Sequence, residues 1–131
     1  MTTMPVTTKP LSGWQRRKIR VAQGLPRYTP GEAASRRASN VRRAMVRTQE
    51  NIQFVTELKM TLGCSDCGYK EHPAALDFDH LPGHVKRRDI SRLLRMHRNT
   101  LVVELAKCEV VCSNCHRVRT WQRNQAIAAM R

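Results

Sequence analysis

Cys64-Ser65-Asp66-Cys67 and Cys112-Ser113-Asn114-Cys115-His116 bracket a short stretch, Leu76-Asp77-Phe78-Asp79-His80, and these three segments decide how the chain folds. A two-residue spacer lets both thiolates of a pair reach one tetrahedral Zn²⁺, at about 2.3 Å per sulfur. Two such pairs complete a Cys₄ site that admits no water and therefore reads as structural, with Cys64, Cys67, Cys112 and Cys115 as zinc ligands. The same staple draws His116 toward Asp79 and His80, groups distant in sequence that are able to share a second metal.

Composition sets the limits around that centre. A chain of 131 residues is most simply one domain with a modest core. Aromatics make up only 5%, so a metal staple offsets burial that the side chains cannot supply. Lys and Arg number 24 against 10 Asp and Glu, a formal charge of +14. A protein of that charge most often meets a polyanion, nucleic acid first, although a basic surface can also simply be solvated. No apolar run approaches the roughly 20 residues needed to cross a bilayer. Met1 to Pro10 lacks the apolar core of a secretion signal. The expected compartment is the cytoplasm, where cysteines stay reduced and favour metal binding. Five cysteines would in any case leave one outside a complete disulfide framework.

Outward from the cysteine pairs, residues 1–11 read as a disordered leader, 12–62 as basic helices and 63–131 as the zinc-stapled core. Ser12-Gly13-Trp14-Gln15 has the form of a capping box, followed by Arg16, Arg17, Lys18 and Arg20, with Gly24 and Pro26 as the stop. Thr29-Pro30-Gly31-Glu32 opens a second helix by the same logic. Ala34, Ala38, Val41, Met45, Ile52, Val55, Leu58 and Leu62 then mark one apolar face ending near Gly63, with the last turns open to an extended alternative. That stripe can pair with its own core or with a second copy of the chain. Arg36, Arg37, Arg42, Arg43 and Arg47 lie mainly off it, either solvated or riding on DNA phosphates. Up to residue 50 the chain holds 11 basic and 2 acidic side chains, so this half looks like the electrostatic clamp. Further on, a strand is expected near Ala75–His80 and a turn at Leu81-Pro82-Gly83. Helices are expected over Ile90–Arg98 and Leu101–Lys107 with a break near Asn99-Thr100, then a strand over Glu109–Val111 and a helix from Asn114 to the end. The expected class is α+β, mostly helical.

Strand, strand and helix, with Asp-His on the first strand and His on the helix, resembles the HNH endonuclease family. It is most similar to small zinc-stapled, phage-type members. The matching residues are Cys64-x-x-Cys67-Gly68, Leu76-Asp77-Phe78-Asp79-His80, and Glu104-Leu105-Ala106-Lys107-Cys108-Glu109-Val110-Val111-Cys112-Ser113-Asn114-Cys115-His116-Arg117, so the resemblance covers about residues 50 to 121. It implies a ββα-metal core and metal-dependent hydrolysis of DNA phosphodiester bonds, leaving a 5′-phosphate. It implies His80 as the general base, since imidazole as a residue type titrates near neutrality and can take a proton from water. It implies Asp79 and His116 as ligands of one divalent cation, Mg²⁺ or Mn²⁺ among others, with positions left open for water and phosphate oxygens. The cation's part is to neutralise charge on phosphorus and on the departing 3′ oxygen.

The family's Asn, which tethers the loop between the strands, has no clear counterpart here. Its slot, counted back from Cys112, holds Lys107, while Asn114 is the available Asn and Asp89 an alternative. Some residues have plainer readings: Cys108 as a small buried hydrophobe, Asp77 as a partner behind the ligands or a solvated edge acid, and Trp121 as packing or a base-stacking surface. Competing with the nuclease is a non-catalytic zinc-stapled DNA-binding module, which leaves Asp79, His80 and His116 unexplained. A narrower version, resting on family association alone, places the nuclease beside a phage terminase in a packaging assembly.

Overall fold

A computed structural model describes residues 9–131; most of the expected leader, residues 1–8, lies outside the described residues. The chain divides into two compact units between Val41 and Arg42, and each is described separately.

In the first unit, helix α1 (Gly13–Ala22) starts at Ser12, whose hydroxyl caps Gln15 N while the Gln15 side chain returns to Ser12 N at 2.8 Å. Helix α2 (Pro30–Leu62) starts the same way, Thr29 N donating to Glu32 Oε2 at 2.8 Å. Both capping boxes satisfy N–H groups that the first turn cannot pair internally. The guanidinium of Arg36 lies 4.4 Å from the centre of the Tyr28 ring, and Lys18 lies 4.3 Å from that of Trp14.

The second unit begins within α2. Gly63, at φ +67°, ends that helix in the left-handed region, which a residue with a Cβ enters only with strain. After the first cysteine pair comes a 3₁₀ turn (Pro73–Ala75) and then strand β1 (Leu76–His80). Helices α3 (Ile90–Leu93) and α4 (Arg98–Leu105) follow, and strand β2 (Cys108–Cys112) runs directly into α5 (Ser113–Ala129). The strands pair antiparallel, with Leu76 opposite Cys112, Phe78 opposite Val110 and His80 opposite Cys108. The fold is mixed α/β around a two-stranded sheet and a four-cysteine cluster.

Two apolar clusters support it. Cys64, Leu76, Val110, Val111 and Cys112 form one, and Val55, Leu93, Leu101 and Leu105 the other. Phe78 touches both, so the side chain between Asp77 and Asp79 joins the cysteine end of the sheet to the helical end.

Two expectations need correction. The apolar stripe of α2 does not form a core face along its length: Val41, Met45, Ile52 and Leu62 are exposed. Val55 and Leu58 of the stripe do pack on the core, joined by buried Asn51 and partly buried Phe54 in place of Ile52 and Leu62. The physical reason is Asn51, only 1% exposed, whose amide donates to the carbonyls of Leu94 (2.9 Å) and Met96 (3.0 Å) and accepts from Arg98 Nε (2.8 Å). The same bonds explain the second correction. The break between the short helices falls at residues 94–97 rather than near Asn99-Thr100, because the carbonyls of Leu94 and Met96 are satisfied from α2 instead of by continued helix.

Candidate metal centre and adjoining cleft

The two cysteine pairs converge. One sulfur from each of Cys64, Cys67, Cys112 and Cys115 lies within 4.8 Å of the other three, with Cys67 and Cys112 Sγ 3.7 Å apart. Thiolates on a tetrahedral Zn²⁺, about 2.3 Å from the ion, stand about 3.8 Å from one another, so this spacing fits a metal such as zinc. Backbone geometry sets it. Gly68, at φ +75°, closes the first knuckle with its N–H on Cys64 O (2.8 Å), and Ser65 N bonds Val110 O (2.9 Å), tying that knuckle to β2. Cys112 caps α5, accepting from Cys115 N at 3.4 Å. Burial raises the Cys64 thiol, but hydrogen bonds from the backbone of Cys112, Cys67 and Asp66 outweigh it and bring it down to about 6. Contact with the Cys112 sulfur, with burial next, pushes Cys115 the other way. Cys108 stands outside the cluster; burial, then the Glu104 and Asp79 carboxylates, push its thiol up to about 11.

Beyond the cysteines, α5 presents His116, Arg119 and Arg123 at steps of three and four, one helical face, toward the acids of β1. His116 meets both acids: Nδ1 is 3.2 Å from Asp77 Oδ2 and Nε2 is 3.6 Å from Asp79 Oδ1. A carboxylate only accepts, so at the Asp77 contact Nδ1 is the donor, and the ring's Nε2 edge faces Asp79. Two donor atoms held about 2.1 Å from one ion lie about 3–3.6 Å apart, and the Asp79–His116 separation suits that bite. Asp79 is also bound by protein cations. Its Oδ1 accepts from Arg123 Nη1 at 2.8 Å, and its Oδ2 accepts from Arg123 Nη2 and from Arg119 Nη1. Burial alone would raise the Asp79 carboxyl, but these guanidiniums outweigh it and hold it below the usual range. Arg119 extends to Asp66, Ser65 and Glu109, linking the first knuckle to both strands.

His80 lies at the other end of β1, against α4. Its Nε2 is 2.9 Å from Glu104 Oε1, an acid only 2% exposed. Glu104 also accepts from Lys107 Nζ (2.8 Å) and from the backbone N–H of Arg87 (2.9 Å), and Lys107, Arg87 and His80 together bring it down to about 2. An ionised carboxylate fixes the proton on Nε2 and leaves Nδ1 of His80 with a free lone pair. His80 and His116 both line a cleft of about 470 Å³ together with Lys59, Asp77, Phe78, Lys86 and Asp89. Asn114 lies elsewhere, exposed in a hollow beside Cys67, Tyr69 and Cys115, and Asp89 pairs with Lys86.

Glu104 is the residue that sequence reasoning missed. Its bond from Arg87 N tethers the segment between the strands, as does Lys107 Nζ, which donates to Val85 O at 3.2 Å. The available signal was an acid flanked by Leu101 and Leu105 on the buried face of a short helix, where an unpaired charge is costly. Comparison with known proteins returned no match: none among protein-family models, none among curated proteins and none among solved structures.

Proposed function

We propose that the chain is a metal-dependent endonuclease of the HNH type that hydrolyses DNA phosphodiester bonds. The observation that carries this reading is the cleft that joins His80, fixed by Glu104, to His116, whose Nε2 faces Asp79 across 3.6 Å. Water is the nucleophile: His80 Nδ1 accepts its proton, the new phosphorus–oxygen bond forms, and the bond to the 3′ oxygen breaks to leave a 5′-phosphate. Glu104 holds His80 in the tautomer this requires and carries the charge that balances the imidazolium formed. Asp77 plays the matching part for His116, keeping Nε2 directed at Asp79. Asp79 and His116 would hold a divalent cation, which would supply positive charge near the phosphoryl oxygens and the departing oxygen. The Cys₄ zinc fixes the start of α5, and with it the position of His116 one residue after Cys115. The basic side chains of residues 9–47 bind backbone phosphates without reading sequence.

One observation favours the second reading, a zinc-stapled DNA-binding module without activity: Arg119 and Arg123 already neutralise Asp79. A plasmid nicking assay across Mg²⁺, Mn²⁺ and metal-free buffer separates the two. The nuclease predicts metal-dependent nicking that His80→Ala lowers about 100- to 10,000-fold while zinc content and melting temperature are kept. Equal nicking by the variant and the parent sinks it.

A further inference from the structure

Lys59 is the cleft-lining cation left without a counter-ion. It stands on the last turns of α2, where its carbonyl accepts from Gly63 N at 2.9 Å, so its backbone is fixed beside the first knuckle. The side chain lines the cleft with Asp77, Phe78, His80 and His116, and its ammonium lies 5.5 Å from the centre of the Phe78 ring. The other charges there have partners: Lys86 pairs with Asp89, and Asp77 with His116. Lys107, behind the cleft, pairs with Glu104. Among the described residues, Lys59 has no carboxylate oxygen within 4.0 Å and no hydrogen-bond partner, and it is half-buried against an aromatic face. Burial lowers its ammonium, with Asp77 opposing at longer range. A partly desolvated ammonium that no carboxylate answers favours an anionic ligand.

We propose that Lys59 forms an oxyanion-binding position in this cleft, its ammonium taking a backbone phosphate oxygen of a polynucleotide beside His80 and His116. The proposal rests on reading the cleft as a phosphodiester site, but its test is separate from cleavage. The protein's own acids leave this one ammonium open while compensating its neighbours, as a site for an anionic ligand requires. A cleft of about 470 Å³ is within the range that holds small ligands, and so is roomy enough for a phosphate with its flanking sugars.

The experiment measures binding, not turnover, with the zinc-loaded full chain carrying His80→Ala and a fluorescein-labelled short DNA duplex, read by anisotropy over a salt series. Lys59→Met is expected to weaken binding at least fivefold and to lower the slope of log K against log salt by about 1. Lys59→Arg, which keeps the charge, is expected to stay within about twofold. Lys70→Met, an exposed lysine outside the cleft, is expected to cost less than Lys59→Met. Zinc content and circular dichroism equal to the parent show that Lys59→Met has folded; if it has not, a substantial loss of binding in folded Lys59→Gln supports the assignment. Binding by the folded variant equal to that of the parent, or a loss no greater than for Lys70→Met, overturns it. Lys59-dependent binding of inorganic phosphate without any effect on the duplex overturns the polynucleotide as occupant. Absence of nicking by the unmutated protein removes the nuclease reading and leaves a Lys59-dependent loss of binding standing.

Discussion

The cysteine cluster and the cleft meet on α5, where Cys115 and His116 are neighbours, yet they are built on opposite principles. In the cluster four sulfurs face one another within 4.8 Å, a set that could hold a metal such as zinc. In the cleft nearly every charge already has a protein partner: His80 has Glu104, His116 has Asp77 and Lys86 has Asp89, while Asp79, behind His116, has Arg119 and Arg123. The difference lies in what each centre leaves open: the cluster offers four sulfurs that could hold one ion, whereas His80 and His116 are answered by acids of the protein itself.

Removing the metal is therefore the harshest test. Structural zinc contributes about 10–16 kcal/mol of apparent binding free energy in small domains, more than the core of this unit can replace. Chelation, or Cys112→Ser, is expected to abolish cooperative thermal unfolding of residues 42–131, and metal analysis should return one zinc per chain before treatment and none after. A variant without zinc that still melts cooperatively breaks the comparison at its stronger end.

The same contrast explains what was legible in the sequence. Each cysteine pair is a local signal, because a two-residue spacer carries the geometry with it. The Asp-His strand and the following His were visible as residue types in order, and so was the Thr29–Glu32 cap. Glu104 was hidden because its partners His80 and Arg87 lie 24 and 17 residues away, and no spacing rule joins a short helix to the end of a strand. Asn51 was hidden for the same reason: its carbonyl partners are 43 and 45 residues distant, and an apolar stripe running past it at Ile52 gave the stronger pattern. Periodicity finds faces, while buried polar groups choose which face is used.

The arginines on Asp79 sharpen the comparison from the cleft side. Arg123→Met removes two of the three guanidinium bonds to a carboxylate that is only 4% exposed. With Arg119 remaining, the expected cost is about 2 kcal/mol, below the full penalty for stranding a buried charge. If Asp79 and His116 hold a divalent cation, Mn²⁺ should raise the melting temperature of Arg123→Met more than that of the parent, since a competing cation is gone. Millimolar Mn²⁺ without effect on either protein counts against a cation at this pair.

A smaller effect is expected of Glu104→Gln. The folded carboxyl lies near 2 against an ordinary 4.5, so its contribution to stability is fully present above about pH 4.5 and is lost as pH falls from there toward 2. Glutamine has no such term. Denaturant midpoints of variant and parent should therefore differ most at neutral pH and approach each other below pH 4.5. A gap that stays constant down to pH 3 means that the charge of Glu104 contributes little and that its hydrogen bonds carry the effect.

Cys108 stands at the end of β2 away from the cluster, and its expected effect is the smallest. It sits opposite His80 in the sheet register, and its Sγ donates weakly to Glu104 O at 3.5 Å. Its sulfur stands outside the four-cysteine cluster, and burial, then the Glu104 and Asp79 carboxylates, push its thiol up to about 11. Cys108→Ala is expected to keep the zinc stoichiometry unchanged and to cost about 1 kcal/mol or less, the loss of a few packing contacts and one weak hydrogen bond. Alkylation of the zinc-loaded protein at pH 8 should leave Cys108 unmodified on the timescale that modifies a free exposed thiol. Loss of zinc in Cys108→Ala would extend the cluster, making the fifth cysteine part of the metal centre rather than a packed residue beside His80 and Glu104.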